Sequence, residues 1–591
     1  MSVTVHAELT ADGGRIVLMA VGPVEDMAYL GKLLQTTTPA YKQSQPKGAL
    51  LCPATWPAVV QLGAILGDAF APGPRLQRWI LDQVATRSTT SCNELTVPVP
   101  DGLTPRPYQV AGAQLIAATG RMLIFDEPRT GKTPTTVLGL AELAHRGTGV
   151  APILVVCPAS VVDPWVEHFA SWTPQWRAVA WRGSPKRRRA LAGTADVYVT
   201  SYDTARMDAK DTNPSRSPLI ALDPRALVVD ELHYCKNPHA ARSQAVRRLA
   251  RNTRAFVALS GTPITHHPAD LWPTLVCLAP GAYPSRERWV SRYCLTLDGD
   301  YGQTILGLSP ATEPEFRLSL LGQQRRIARA DVLDQLPPKV YSIRTVELPS
   351  EYRKAYDAME NDMLAELPDG GEISVMGVLA QLTRLSQLAS AAADVKVTVE
   401  DLADGTQREH VEVTLTAPSW KVDALLEVLE ERPGEKVVVF APSKQLIRLA
   451  GNAAGSKGHR VGYIVGGQPM SERTATIREF QTGELNLICA TTGAGGTGIT
   501  LSAAGTLVFL QRPWSLVESL QAEDRAEGDP TQTRGTEVID IVAANTIDTR
   551  VRAVLRERAG QLADLVQDPR IVAELLGGAT VTRLQQKGHA A

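Results

Sequence analysis

The stretch MLIFDEPRTGKTPTTVLGLAELA (122–144) decides the reading of the whole chain. An apolar run with strand character, MLIF (122–125), leads into DEPRTGKT (126–133) and then into PTTVLGLAELA, which is compatible with a helix. Strand, loop and helix in that order form the context a GK[ST] phosphate-binding loop requires. Backbone amides at the helix start, aided by the helix dipole, would cradle phosphates. Lys132 would meet the β and γ phosphates of ATP and Thr133 would hold Mg2+ through its hydroxyl, with Arg129, Thr130 and Gly131 completing the loop. Pro134 fits the tolerance of a first helical turn for proline. Asp126 stands where the GxxxxGKT signature has its leading glycine, and a bare GKT in a loop is commonly incidental.

Outward from this loop, short apolar runs rich in β-branched residues alternate with helix-like segments. ILVVC (153–157), DVYVT (196–200), ALVVD (226–230) and FVALS (256–260) give the βαβ rhythm of a parallel sheet. The rhythm returns in KVVVFAP (436–442), RVGYIVG (460–466), LNLICAT (485–491) and TLVFLQ (506–511). The expected fold is therefore α/β with two RecA-like parallel-sheet lobes. Between them, residues 351–393 read as helices and 395–416 as a hairpin turning at Asp404-Gly405. The expected organisation is an accessory domain over 1–100, a first lobe over 101–345, a helical linker and hairpin over 346–420, a second lobe over 421–565 and a tail over 566–591.

ALVVD places Asp230 at the end of an apolar strand, with Glu231 next and His233 close behind. In an ATPase the strand-end Asp supports magnesium, and the following Glu positions and polarises the attacking water. Adjacent carboxylates suit that division of labour. A plain strand-to-loop boundary would also place acids here, and it is the GKT upstream that favours the chemistry.

The whole series resembles superfamily-two helicases of the Swi/Snf type. RPYQ (106–109) is similar to their adenine-recognition motif, with Arg106 and Gln109 at the base, and DEPRTGKT matches that family's variant loop, which also begins with Asp. VVCPASVVDPWVEHF (155–169) and TSYDT (200–204) resemble DNA-strand contact motifs. The likeness implies phosphate contacts from Pro158, Ala159, Ser160 and Ser201. DELH (230–233) with KNP (236–238) stands at the DEAH-like box, and LSGTP (259–263) matches the motif that couples nucleotide state to lobe closure, through Ser260, Gly261 and Thr262. In the second lobe Gly466, Arg473 and Phe480 match the family's spacing, TTGAGGTGITLSAA (491–504) resembles motif V with Thr491, Thr492 and Gly498, and QAEDR (521–525) resembles the start of motif VI with Gln521 and Arg525. The resemblance spans about residues 104–560 and implies an ATP- and Mg2+-dependent motor in which Lys132, Asp230, Glu231 and Arg525 serve catalysis. The QAEDR form resembles double-stranded DNA translocases more than RNA helicases.

The family's motif VI has a second arginine three positions after the first, and here that position is Gly528. Such a finger neutralises charge developing on the transferred phosphoryl group. Arg512 and Arg534 are the candidates to replace it. A nucleotide-dependent DNA clamp with little hydrolysis is thus the reading from another class, and an RNA helicase is the alternative enzyme. KRRR (186–189) could touch phosphates or form a solvated helix face. His266-His267 lacks partners at metal-ligand spacing and reads as a loop, and Trp514 reads equally as packing or function. Residues 41–70 resemble the substrate-recognition domain that precedes the motor in annealing helicases, which would imply forked DNA; a packing domain is the other reading.

The bulk numbers bound these expectations. With 591 residues the chain exceeds one core, and roughly 150 residues per domain implies about three or four units. Lys plus Arg (61) balances Asp plus Glu (62), so DNA contact must come from local patches with little base specificity. The seven cysteines, at 52, 92, 157, 235, 277, 294 and 489, form no CxxC pair. Together with the absence of a signal-like start or a long apolar run, they predict a cytoplasmic protein with no membrane partner; the resemblance implies DNA as the partner, and a monomer is expected.

Overall fold

The computed structural model describes residues 4–21, 23, 42–44, 49–88, 94–128, 130–261, 268–283, 285–299, 302–320, 323–327, 339–365, 375–401, 407–495, 501–526, 536–553 and 555. The chain forms two compact units, 1–332 and 333–591.

In the first unit seven strands make one parallel sheet, ordered Gln324–Arg325, Arg121–Ile124, Ala255–Leu259, Ala226–Asp230, Ile153–Cys157, Val197–Ser201 and Ala178–Ala180. Both faces are covered, so the strands read as continuous apolar runs and their alternate residues feed two different cores. Leu123, Phe125, Leu154, Val156, Leu227 and Val229 pack on one side, and Met122, Ile124, Ile153, Val155, Ala226 and Val228 on the other. The expected strands all form, within a residue or so of the anticipated ends.

Ahead of this sheet lies a five-stranded one, ordered Lys42–Ser44, Ala49–Pro53, Arg15–Val21, Thr4–Leu9 and Phe70–Pro72, with its own core of Val5, Ala7, Ile16, Leu18, Val59, Leu62 and Leu76. Its helix Trp56–Leu66 docks on the remainder of the unit: the Trp56 indole donates to the Leu318 carbonyl at 2.8 Å and Gln61 to the Tyr293 hydroxyl at 3.1 Å. The chain leaving it is also pinned. Glu142, fully buried in the helix Lys132–His145, accepts from the amides of Thr96 (2.6 Å) and Val97 (2.8 Å). This segment is thus fastened to the helix that follows the phosphate loop.

The second unit holds a six-stranded parallel sheet, ordered Val340–Val346, Glu537–Ala543, Thr506–Phe509, Val437–Ala441, Leu487–Thr491 and Val461–Ile464. The division expected at 345 is corrected here. Val340–Val346 pairs along its whole length with Glu537–Ala543, so this strand belongs to the second sheet and the break lies upstream of it. The helices Ser350–Ala365 and Val375–Leu388 precede an antiparallel hairpin, Ala392–Asp401 with Gln407–Thr416. The helix expected to run to 393 stops at Leu388, because Ala392 and Ala393 already pair with Thr416 and Leu415. The anticipated turn at Asp404-Gly405 and the tail 566–591 lie outside the described residues. Among the described residues no helix is long and apolar enough to cross a membrane.

Candidate active site

Strand order brings three motifs to one edge of the first sheet. The strands Arg121–Ile124, Ala255–Leu259 and Ala226–Asp230 are neighbours and parallel, so the phosphate loop, Ser260-Gly261 and Asp230-Glu231 all leave from their carboxyl ends. That edge is where open parallel sheets bind ligands. The Ser260 amide donates to the Ile124 carbonyl at 3.0 Å. A Cβ on Gly261 would stand 3.0 Å from Cδ of Pro128, so the middle motif packs directly on the phosphate loop.

The loop itself is held from several sides. Gly131 takes φ +80 as the residue capping the helix Lys132–His145, a conformation that favours glycine, and a Cβ there would meet Nε2 of Gln109 at 2.2 Å. Gln109 sits in the first turn of the helix Pro107–Thr119. Its Oε1 accepts from the Arg106 amide at 2.9 Å and its Nε2 donates to the Thr130 carbonyl at 3.1 Å. An amide carries two donors and two lone pairs, so one of each remains to meet an adenine edge. The Thr130 hydroxyl donates to the Glu127 carbonyl at 2.8 Å. Lys132 folds back over the loop, its ammonium donating to the carbonyls of Asp126 (2.8 Å) and Glu127 (3.1 Å), and Thr133 follows in the first helical turn. Arg129 lies outside the described residues.

The carboxylate pair is equally constrained. Asp230 accepts the Trp165 indole N–H at 2.9 Å on Oδ2 and the Glu231 amide at 3.0 Å on Oδ1. Burial, then the Glu231 charge, pushes its carboxyl above the ordinary Asp range; the Trp165 bond and the Lys132 ammonium oppose this only in part. Glu231 adopts φ 54, a left-handed conformation rare outside glycine, and its carboxylate stands 3.3 Å from Nδ1 of His233. The Tyr202 hydroxyl fixes this turn by donating to the Asp230 carbonyl at 2.6 Å, and its ring stacks on Tyr234 with centroids 5.0 Å apart.

In the second unit Thr491 ends the strand Leu487–Thr491 and Thr492 opens the short helix Thr492–Gly495, its hydroxyl donating to Glu518 at 2.6 Å. Gln521 and Arg525 lie on the helix Leu516–Ala526, and the Arg525 carbonyl accepts from the Leu501 amide at 2.7 Å. Arg512, expected as a stand-in for the missing second arginine, is committed elsewhere. It pairs with Asp540 at 2.7 Å and with Glu523, and lies over the Phe509 ring. Although burial alone would lower its pKa, Asp540 and Glu523 raise it. Thr262, His266, His267, Gly498, Gly528 and Arg534 lie outside the described residues.

Two family models match: an SNF2-related domain over residues 108–392 and a helicase conserved C-terminal domain over 420–527. The chain belongs to the SNF2 family. Its helicase-like ATPase domains imply nucleotide use. It is similar to the ISWI chromatin-remodeling complex ATPase CHR17 of Arabidopsis thaliana, at 26% identity over 76% of this chain and 41% of that protein. The DNA annealing helicase and endonuclease ZRANB3 of Bos taurus matches at 25% identity over 82% and 43%. An ATP-dependent helicase of Mycoplasma genitalium, MG018, matches at 24% over 77% and 41%. The chain thus spans about two fifths of the length of these curated relatives. The solved SWI2/SNF2 ATPase core of Sulfolobus solfataricus in complex with dsDNA is similar at 21% identity and TM-score 0.37, covering 82% of this chain and 99% of that one.

The positions of this SNF2 chain that were expected to contact DNA divide into several kinds. Ser160 follows Pro158 and Ala159 in a short turn after the strand Ile153–Cys157, and its hydroxyl is buried with no hydrogen-bond partner. Ser201 caps the helix Tyr202–Asp208 by accepting from the Thr204 amide. In KRRR, one arginine is structural: Arg188 is buried and grips both oxygens of Asp208, at 2.6 and 2.9 Å, whereas Lys186, Arg187 and Arg189 are exposed. Trp514 is 39% exposed, so it is not core packing. Trp165, Tyr202 and Arg325 are functional neighbours that the sequence alone does not single out. Trp165 lies inside the motif VVCPASVVDPWVEHF, but nothing in a sequence shows an indole aimed at a carboxylate 65 positions away.

Proposed function

We propose that the chain is a DNA-dependent ATPase that hydrolyses ATP to move on or remodel duplex or forked DNA, acting as a monomer. The observation that carries this reading is the meeting, at one sheet edge, of Lys132 with the adjacent carboxylates Asp230 and Glu231. Lys132 would exchange its two loop carbonyls for β and γ phosphate oxygens, and Gln109 would read adenine with its spare donor and acceptor. Glu231, held in its strained turn, would orient the attacking water.

Magnesium fits the residues present. Asp230 keeps a lone pair on each oxygen, and two adjacent carboxylates that disfavour joint ionisation, with Asp230 desolvated, are an environment a divalent cation relieves. Asp230 and the Thr133 hydroxyl would hold it, and when bound it would neutralise charge on the β and γ phosphates. DNA would be gripped through phosphates by Ser160, Ser201, Thr491 and Thr492, with little base readout. The six described cysteines are buried free thiols, which supports a reducing, cytoplasmic setting.

ATP turnover measured with no nucleic acid, with single-stranded, duplex and forked DNA and with RNA tests the reading. It expects duplex or forked DNA to stimulate most; strongest stimulation by RNA overturns it. A second reading, a nucleotide-dependent clamp with little hydrolysis, is favoured by Arg512, whose buried ion pairs leave it no role as the second arginine. Tight ATP-dependent DNA binding without turnover would establish that alternative.

A further inference from the structure

Arg325 lies 199 residues from Asp126 in sequence and meets it in the interior of the first unit. Its Nε donates to Oδ1 of Asp126 at 3.2 Å and its Nη2 to Oδ2 at 2.7 Å, a two-pronged pair in which the carboxylate is 1% and the guanidinium 9% exposed. The remaining nitrogen, Nη1, donates to the Tyr108 carbonyl at 2.7 Å. Each contacted residue is one step from a nucleotide-facing group. Asp126 supplies the carbonyl that holds the Lys132 ammonium, and Tyr108 precedes Gln109, whose amide spans to Thr130. One guanidinium therefore sets the register of the phosphate end and the adenine end together.

The backbone reinforces this. Gln324–Arg325 pairs with the strand Arg121–Ile124, and the ladder runs on into the loop: Leu123, Phe125 and Glu127 donate to the carbonyls of Gln323, Arg325 and Ile327 at 2.8, 2.7 and 3.0 Å. Arg326 adds an ion pair to Glu127 at 3.6 Å. The helix carrying Tyr108 is pressed close enough that a Cβ on Gly112 would lie 1.8 Å from Nη1 of Arg325 and 2.6 Å from Cγ2 of Thr135. Buried ion pairs are poor sources of stability compared with apolar side chains of similar volume. Their advantage is direction, because a planar fork fixes a carboxylate in angle as well as distance.

We propose that Arg325 is a positioning residue for the nucleotide, acting through Asp126 on Lys132 and through Tyr108 on Gln109. This rests on the reading of the site as an ATP site. It also explains why the loop opens with an Asp, since that carboxylate is the handle by which Arg325 holds it.

The test compares the full-length protein with Arg325→Met and with the double variant Arg325→Met/Asp126→Leu, whose apolar pair avoids an unpaired buried charge. ADP affinity without DNA, KM and kcat for ATP with duplex DNA, and the preference for ATP over GTP are measured on protein shown to be folded by its thermal transition. Both variants are expected to weaken ADP binding and raise KM about tenfold or more, and to lower the preference for ATP. Unchanged ADP affinity, KM and base preference, with only a smaller active fraction, overturns the proposal by making the pair purely structural. So does a double variant with wild-type values. Should Arg325→Met fail to fold, the double variant decides alone. Wild-type protein that binds no ADP instead overturns the ATP-site reading, and with it the proposal built on it, whereas wild-type binding with unaltered variants overturns Arg325 positioning alone.

Discussion

The Trp165 indole donates a hydrogen bond of 2.9 Å to the Asp230 carboxylate and thereby fixes its orientation at the end of the strand Ala226–Asp230. A bond to an ionised acceptor contributes about 1.5–3 kcal/mol. Trp165→Phe keeps most of the apolar contact with Phe169 and loses that bond. Thermal unfolding should show a first unit destabilised by an amount in that range, and ATP turnover should require more magnesium and a higher pH.

Asp230→Asn should separate stability from activity. The native carboxyl is raised above the ordinary 3.8, first by burial and then by Glu231. The folded state therefore keeps a proton that the unfolded state has lost, and this group's contribution to stability falls as pH rises from the unfolded value through the folded one. The amide removes that loss, so without nucleotide the variant should melt at or above the wild-type temperature at neutral pH and show a flatter pH profile. Its ATP turnover should be abolished. Wild-type turnover should decline with acidification through the same window, since magnesium and the proton compete for Asp230.

Gly131→Ala places a side chain at φ +80 and 2.2 Å from Nε2 of Gln109. The backbone strain is about 1–2 kcal/mol, and the displaced Gln109 loses its bond to Thr130. A lower melting temperature and a raised KM for ATP are expected together.

Arg188→Ala leaves Asp208 buried with only the Trp181 indole, and breaking such a pair costs about 3–5 kcal/mol. Folding should suffer while the salt dependence of DNA binding stays unchanged. Replacing exposed Lys186 and Arg187 by alanine tests the opposite: any phosphate contact they make would appear as a shallower salt slope with intact stability.

The sheets were legible because strands buried on both faces must be apolar throughout, and runs such as ILVVC and ALVVD have few other uses. The GKT loop and the Asp230-Glu231 pair were legible because their chemistry is local in sequence. What escaped was mostly long-range. Val340–Val346 is half-exposed at a sheet edge and alternates weakly, so its membership in the second sheet depends on Glu537–Ala543 far downstream. Arg325 and Trp165 act on carboxylates remote in the chain. Arg512 looks like a reaching arginine in the sequence because Asp540 and Glu523, which bind it, are brought near only by the fold.

The most direct measurement is displacement of a third strand from a DNA triplex by the full-length protein, which reports movement along the underlying duplex. ATP should drive displacement by the wild type, a non-hydrolysable analogue should not, and Lys132→Ala, which loses the ammonium now held by Asp126 and Glu127, should be inactive with ATP while still folding. Brisk ATP turnover without displacement, or displacement by Lys132→Ala equal to that of the wild type, would contradict a duplex-tracking motor powered at this site.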